Sequence, residues 1–326
     1  MIIVQTPLRL SFLGGGTDFE DYYKIHGGAV LSTAINKNVY IIVKERFDDY
    51  IYINYSKKEI VDDINKLEHG LVREAMKLTS VEKGIEITTL ADVPAEGTGL
   101  GSSSSITVGL LHALYTYRGE IVTQRTLAEQ ACHIEIERLH KPLGRQDQYI
   151  AAFGNMRFIS FNGKGIDIEY IQLASELKRK LESSLMLFYT GITRKADDVL
   201  SEQKDNIYRN SKMLEDLNGL AFEAKKLLLQ GDLDGFGETI HRGWMLKRGL
   251  ASRVTNSSID GIYETARKAG ALGGKITGAG GGGFLLLYCP IEKQKAVRAA
   301  LGNLKELPFR FQDDGSKVIF NYRMGS

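Results

Sequence analysis

Three glycine clusters, with charged residues close by, mark where this sequence has the means for chemistry. The most telling is Pro94-Ala-Glu-Gly-Thr-Gly-Leu-Gly-Ser-Ser-Ser-Ser105. Glycines let a backbone approach a ligand closely and take positive φ. The serines open a helix, whose first N–H groups have no internal partner and lie at the positive end of its dipole. A loop of this kind is an anion site, most often for phosphate. The plain alternative is a tight strand-to-helix turn. No Lys follows the last glycine, so this is not a Walker A loop, and Gly97-x-Gly99-x-Gly101 lacks the spacing of a dinucleotide fingerprint.

Lys275-Ile-Thr-Gly-Ala-Gly-Gly-Gly-Gly283 lies between two short apolar stretches. Four successive glycines are costly in backbone entropy, and a simple hairpin needs one or two. The segment is either a wide hairpin or a second backbone surface against the ligand of the first loop. In Leu8-Arg-Leu-Ser-Phe-Leu-Gly-Gly-Gly-Thr-Asp18, Arg9 interrupts an apolar strand, where a buried charge needs a partner, and Asp18 follows a glycine turn. A strand end with a capping Asp is the simpler reading. In Glu135-Ile-Glu-Arg-Leu-His-Lys-Pro-Leu-Gly-Arg-Gln-Asp-Gln148, Pro142 and Gly144 end a helix and set Arg145 and Asp147 in a turn. Such a turn, taken alone, reads as a solvated loop.

The elements that must position these residues follow from periodicity. Strands are expected at 2–5, 8–13, 39–44, 50–55 and 85–90, a helix at 64–78, another opened by Ser102–Ser105, and one from a Thr123 cap to about 140. Farther on come a strand at 185–190, long helices to 247, a helix at 257–269, strands at 275–277 and 284–289, a helix at 291–301 and a strand at 318–322. Setting aside the extra helices, this is a β-α-β-β-α-β, ferredoxin-like order. A domain boundary is expected near 180, giving domains 1–180 and 181–326.

The chain has 326 residues, 42 Lys+Arg against 40 Asp+Glu, and 35 glycines where average usage of about 7% would give roughly 23. The even charge argues against a dedicated nucleic-acid or membrane-surface protein. No apolar run approaches the ~20 residues that span a bilayer, and no secretory leader is visible. Cys132 and Cys289 stand alone, which excludes a disulfide framework and fits a reducing, cytoplasmic setting. The histidines His112, His133, His140 and His241 have no metal-ligand spacing.

Taken together and in this order, the four segments resemble the GHMP kinases. The 94–105 loop is similar to that family's P-x-x-x-G-L-G-S-S motif, 275–283 to its C-terminal glycine motif, Gly144–Gln148 to its catalytic-Asp segment and Thr6–Arg9 to its opening. The likeness implies an α+β, two-domain fold: a ribosomal-protein-S5-like α/β domain, then a ferredoxin-like domain with extra helices. The Gly-Gly-Gly-Thr-Asp turn, Gly-Arg-Gln-Asp-Gln-Tyr and Phe188-Tyr-Thr-Gly-Ile-Thr-Arg194 resemble the heptose 7-phosphate kinase branch, which phosphorylates an anomeric C1 hydroxyl.

The resemblance also implies roles. Gly97, Gly99, Leu100, Gly101, Ser102, Ser103 and Ser104 would hold the phosphates of ATP. Ser103 and Glu137 would meet Mg2+, with Glu135 two residues before the latter. Asp147 would take the proton of the acceptor hydroxyl, and Arg9 would stand near the transferred phosphoryl group. Gly15, Gly16, Thr17, Asp18, Arg145, Gln146, Arg194, Gly280 and Gly281 would line the acceptor site. Galactokinase has Gly-Glu-His-Thr-Asp where this chain has Gly14-Gly-Gly-Thr-Asp18, so the side chains that hold galactose hydroxyls are absent. ATP and a sugar phosphate are the expected partners, with no nucleic acid and no membrane; a homodimer is left open. L-Fucose or another C1-hydroxyl sugar is the alternative substrate, and a silent sugar or nucleotide sensor the competing class.

Overall fold

The computed structural model describes residues 1–94, 97–193 and 195–322. Strand β1 (Ile2–Leu13) is the first element. Leu8, Leu10 and Phe12 are wholly buried in the core. The two-residue period of a strand puts Arg9 and Ser11 on the opposite face, where both line a cleft. After β1 come α1 (Glu20–His26), β2 (Gly28–Glu45), β3 (Ile51–Asn54), β4 (Lys58–Val61), α2 (Gly70–Leu78) and β5 (Ile85–Ala91). β2 is one long strand: its first half pairs with β6 (Met156–Asn162) and its second with β5, so it bridges the sheet. β7 (Gly165–Tyr170) pairs with β6.

Helix α3 (Ser102–Arg118) lies across β1 and β2, burying Val108, Leu110, Leu111 and Leu114. Thr123 caps α4 (Gln124–Cys132), its hydroxyl accepting from the Thr126 N–H at 3.1 Å. α5 (Gln146–Phe153) packs on α4 and α3.

Past α6 (Ser175–Ser184), a second sheet begins with β8 (Leu185–Tyr189). Helices α7 (Ala196–Asp205), α8 (Ser211–Gln230), α9 (Leu233–Lys247) and α10 (Ser257–Lys268) follow, then β9 (Gly273–Ile276), β10 (Phe284–Tyr288), α11 (Gln294–Ala300) and β11 (Lys305–Glu306). The strand order β11-β8-β10-β9 is the ferredoxin-like arrangement. Trp244 packs with Tyr263, Phe188 and Leu287 in the core beneath it.

The last strand differs from expectation. β12 (Lys317–Asn321) forms, but it pairs antiparallel with β1, Ile2 opposite Asn321 and Val4 opposite Val318. The short β11 supplies the fourth strand of the second sheet instead. β12 thus covers the open edge of β1, which would otherwise expose a row of unpaired backbone groups. A single cut near 180 therefore does not separate the two sheets. Among the described residues no helix is long and apolar enough to cross a membrane.

Candidate active site

Gly97, Gly99 and Gly101 all take positive φ, at 72°, 72° and 79°. Gly101 is the N-cap of α3 and no side chain caps the helix start. The Ser102 hydroxyl is buried, faces this region and has no partner among the described residues. Uncapped N–H groups and an orphaned hydroxyl suit an anion. Leu100 points into the core; its carbonyl accepts from the Arg9 N–H at 3.0 Å. The two glycine segments interlock here. A Cβ on Gly99 would stand 2.5 Å from the Thr277 carbonyl oxygen, and one on Gly278 would stand 2.6 Å from the Gly99 Cα. Only glycine permits that approach.

Beyond α4 the chain makes a wider, π-type turn over His133–Arg138, with the Leu139 N–H bonded to the Ile134 carbonyl five residues back. The turn carries Glu135 inward, fully buried. Its carboxylate accepts from the hydroxyls of Ser103 and Ser104, the latter at 2.8 Å, and from Gln148 Nε2 at 2.8 Å. Lys141 Nζ donates to Ser103 Oγ at 2.8 Å and lies 3.7 Å from Glu135. Glu137, the acidic partner expected for Ser103, is half exposed and faces His133 at 2.7 Å and Arg145 at 3.5 Å. The carboxylate beside Ser103 is therefore Glu135, because the π turn shifts which residue faces inward.

Arg9 reaches across from β1 to the start of α5. Its Nε donates to Asp147 Oδ1 at 2.7 Å and Nη2 to Oδ2 at 2.6 Å, while Nη1 donates to the Gly99 carbonyl at 2.6 Å. Asp18 is buried against Gly144, where a Cβ would fall 2.1 Å from its Oδ2. It accepts from the Gly16 N–H at 2.9 Å, from Gln146 Nε2 at 2.9 Å and from the Gln146 N–H at 3.2 Å. Burial raises the Asp18 carboxyl above its ordinary value; those hydrogen bonds oppose the rise and the charge of Asp147 adds to it.

A cleft with two adjoining chambers contains these groups. One is lined by Gly97, Gly99, Gly101, Ser102, Ser103 and Lys141; the other by Gly15, Gly16, Asp18, Gln146, Gln203 and Lys247. Arg9, Ser104, Asp147 and Gly278 border both.

Four expected acceptor-site residues lie elsewhere. The Thr17 hydroxyl is buried and donates to the Gly14 carbonyl at 2.8 Å, so it shapes the glycine turn. Arg145 lines neither chamber; its guanidinium pairs with Glu20 at 2.7 Å, tying α1 to the catalytic-type turn. Gly280 and Gly281 pack on the Val254 backbone, and Gly278 and Ala279 face the cleft instead. Arg194 lies outside the described residues.

Five residues not expected at the site help to build it: Lys141, Gln148, Gln203, Lys247 and Lys275. Lys275 is buried and donates to the carbonyls of Ser11 at 2.8 Å and Phe12 at 3.1 Å, fastening the second sheet to β1. Burial pulls its ammonium well below the usual lysine range, and repulsion from Lys247 and Arg9 adds to this. Lys275 heads the second glycine segment and Gln148 ends the Gly-Arg-Gln-Asp-Gln run, so local sequence marks both. Lys247 and Gln203 stand singly on helices with nothing around them to mark them.

Glu135 and the Ser103 hydroxyl fit Mg2+. That ion takes oxygen ligands, uses one or two carboxylates and completes its shell with waters and substrate phosphates. Among the described residues no cluster of three or more His, Cys, Asp or Glu is placed to hold a metal by itself.

Residues 52–155 match the GHMP kinases N terminal domain and residues 224–306 the GHMP kinases C terminal domain. The D-glycero-alpha-D-manno-heptose 7-phosphate kinase of Campylobacter jejuni is 31% identical over 336 aligned positions, covering 97% of this chain and 98% of that one. A solved D-glycero-D-manno-heptose 1-phosphate kinase from Bacteroides thetaiotaomicron superposes with a TM-score of 0.83 at 26% identity, over 99% of this chain and all of that one. The L-fucokinase/L-fucose-1-P guanylyltransferase of Bacteroides fragilis is 26% identical over 90% of this chain but only 35% of its own length. The chain belongs to the GHMP kinase family and is a phosphotransferase with an alcohol group as acceptor.

Proposed function

We propose that this kinase transfers the γ-phosphoryl group of ATP to the C1 hydroxyl of D-glycero-D-manno-heptose 7-phosphate, giving the 1,7-bisphosphate and ADP for nucleotide-activated heptose synthesis. The observation that carries the reading is the position of Asp147, paired with Arg9 where the two chambers meet. A group there can touch an acceptor in one chamber while phosphates occupy the other. Full-length similarity to the Campylobacter jejuni enzyme supports the choice of sugar.

Asp147 accepts the C1 hydroxyl proton as that oxygen bonds to the γ-phosphorus. The bond from that phosphorus to the bridging oxygen breaks, and the electron pair leaves on ADP. Such a base contributes about 10²–10⁴-fold. The anomeric hydroxyl is more acidic than an ordinary alcohol, which eases the transfer. Arg9 both holds the Asp147 carboxylate in place and offsets charge on the moving phosphoryl group, the main task in this chemistry. The α3 N-terminus, with Gly97–Ser104, holds the phosphates. Mg2+ at Ser103 and Glu135 would supply further charge neutralisation. Asp18, Gln146 and the glycines 15 and 16 receive the sugar.

Similarity to the fucokinase favours L-fucose as the second reading. An ADP-release assay over heptose 7-phosphate, heptose 1-phosphate, free heptose, L-fucose and galactose tests the assignment. The 7-phosphate is expected to have the highest kcat/KM. Equal turnover of free heptose or fucose would overturn it.

A further inference from the structure

We propose that the Ser11 hydroxyl and the side-chain carbonyl of Gln146 form a subsite that reads one hydroxyl of the acceptor sugar, which makes Ser11 a determinant of substrate specificity. This deepens the reading above and rests on it. Among the described residues two buried hydroxyls have no hydrogen-bond partner, Ser11 and Ser102, and they line different chambers of the cleft. Ser102 stands at the start of α3, among the groups assigned to the phosphates. Ser11 is 4% exposed and lines the other chamber with Gly15, Gly16, Asp18 and Gln146. Its neighbour across the ladder, Ser32, does what a buried serine ordinarily does: its hydroxyl donates to a carbonyl, that of Leu10, at 3.0 Å.

The fold fixes both groups in place. The β1–β2 register shifts between Ser11 and Leu13, an irregularity of the kind that re-aims side chains beside binding sites. Lys275 Nζ donates to the Ser11 carbonyl at 2.8 Å, which anchors this stretch of β1 from the second sheet. Gln146 Nε2 donates to Asp18 Oδ2 at 2.9 Å, and an amide that gives its N–H to a carboxylate turns its oxygen elsewhere. That oxygen is buried and has no partner among the described residues. A Cβ on Gly15 would stand 3.9 Å from Ser11 Oγ and 3.5 Å from Gln146 Nε2, so the glycine keeps open the space beside both side chains. Gln146 Oε1 can only accept, while Ser11 Oγ can also donate. A ligand group that donates to the first and accepts from the second is a hydroxyl. A deoxy position there would leave two buried polar groups unpaired, the arrangement that discriminates most strongly between substrates.

The test measures kcat/KM of wild type and Ser11→Ala with heptose 7-phosphate and its monodeoxy analogues, with thermal melts and ATP affinity alongside. Ser11→Ala is expected to lower kcat/KM for the parent sugar by about 10–100-fold with ATP affinity unchanged. Its Tm is expected to match or exceed that of wild type, because the hydroxyl has no partner in the protein to lose. A serine that served only the fold would give a lower Tm. One monodeoxy analogue is expected to cost wild type about tenfold or more, and to cost Ser11→Ala no more than about twofold, the coupling that a direct contact requires. Gly15→Ala is the second variant: its Cβ meets ordinary contact distances, so it is expected to fold and to lose about tenfold in kcat/KM by filling the space. Wild-type kcat/KM in Ser11→Ala would overturn the proposal. So would a set of analogue losses that is the same in wild type and variant. Wild type that leaves heptose 7-phosphate unphosphorylated would sink the substrate reading, and this inference with it.

Discussion

Arg9 on β1 and Asp147 on α5 form a two-pronged ion pair, 2.7 and 2.6 Å long, from residues 138 positions apart in the chain. The pair stands where the two chambers of the cleft meet. The third arm of Arg9 donates to the Gly99 carbonyl, so one side chain sets Asp147 and the 97–101 glycine loop relative to each other.

Replacing Asp147 with Asn keeps the shape and removes the carboxylate proposed as the base. Asp147→Asn is expected to cut kcat by about a hundredfold or more with ATP affinity unchanged. Steady-state kinetics together with calorimetric ATP titration check this. Near-wild-type turnover would remove Asp147 from the proton transfer.

The two glutamates of the π turn are expected to separate in a magnesium titration. Glu135→Gln, at the carboxylate beside Ser103, is expected to raise the Mg2+ requirement and lower turnover by about 10–100-fold. Glu137→Gln, on the solvent side, is expected to stay within about twofold of wild type. The reverse pattern would return the metal to Glu137.

Asp18 gives a pH dependence with a definite sign. Its carboxyl is raised above the ordinary value of 3.8, chiefly by burial. A group with a higher pKa when folded stabilises the protein below its unfolded pKa, and that stabilisation is lost as pH rises through the folded pKa. Asn does not titrate. The Tm of Asp18→Asn relative to wild type is therefore expected to shift in the variant's favour from about pH 4 to about pH 7. Thermal melts across that range check it, and a flat or opposite trend contradicts it.

The parts of the site that the sequence makes legible are those written in residue type alone. Glycines at 97, 99, 101 and 278 mark close backbone approach, and Arg9 within an apolar strand announces a buried partner. What stays hidden depends on geometry that forms only in the fold. Glu135 and Glu137 are two residues apart, and the π turn decides which faces Ser103. The strand at 317–321 carries no mark of the sheet it will join; the free edge of β1 decides that. No strand is expected over 28–35, 156–162 or 165–170, yet the first half of β2, β6 and β7 form there. Lys247 is one lysine among many until α9 brings it to the chamber wall.

Phosphorus NMR of the product formed from ATP and D-glycero-D-manno-heptose 7-phosphate examines the assigned chemistry at the reacting atom. The expected spectrum has two sugar-phosphate signals, one of them coupled to the anomeric proton, as a C1 phosphate requires. A new phosphate coupled to any other sugar proton, or ATP consumption with only the 7-phosphate signal remaining on the sugar, would contradict transfer to C1.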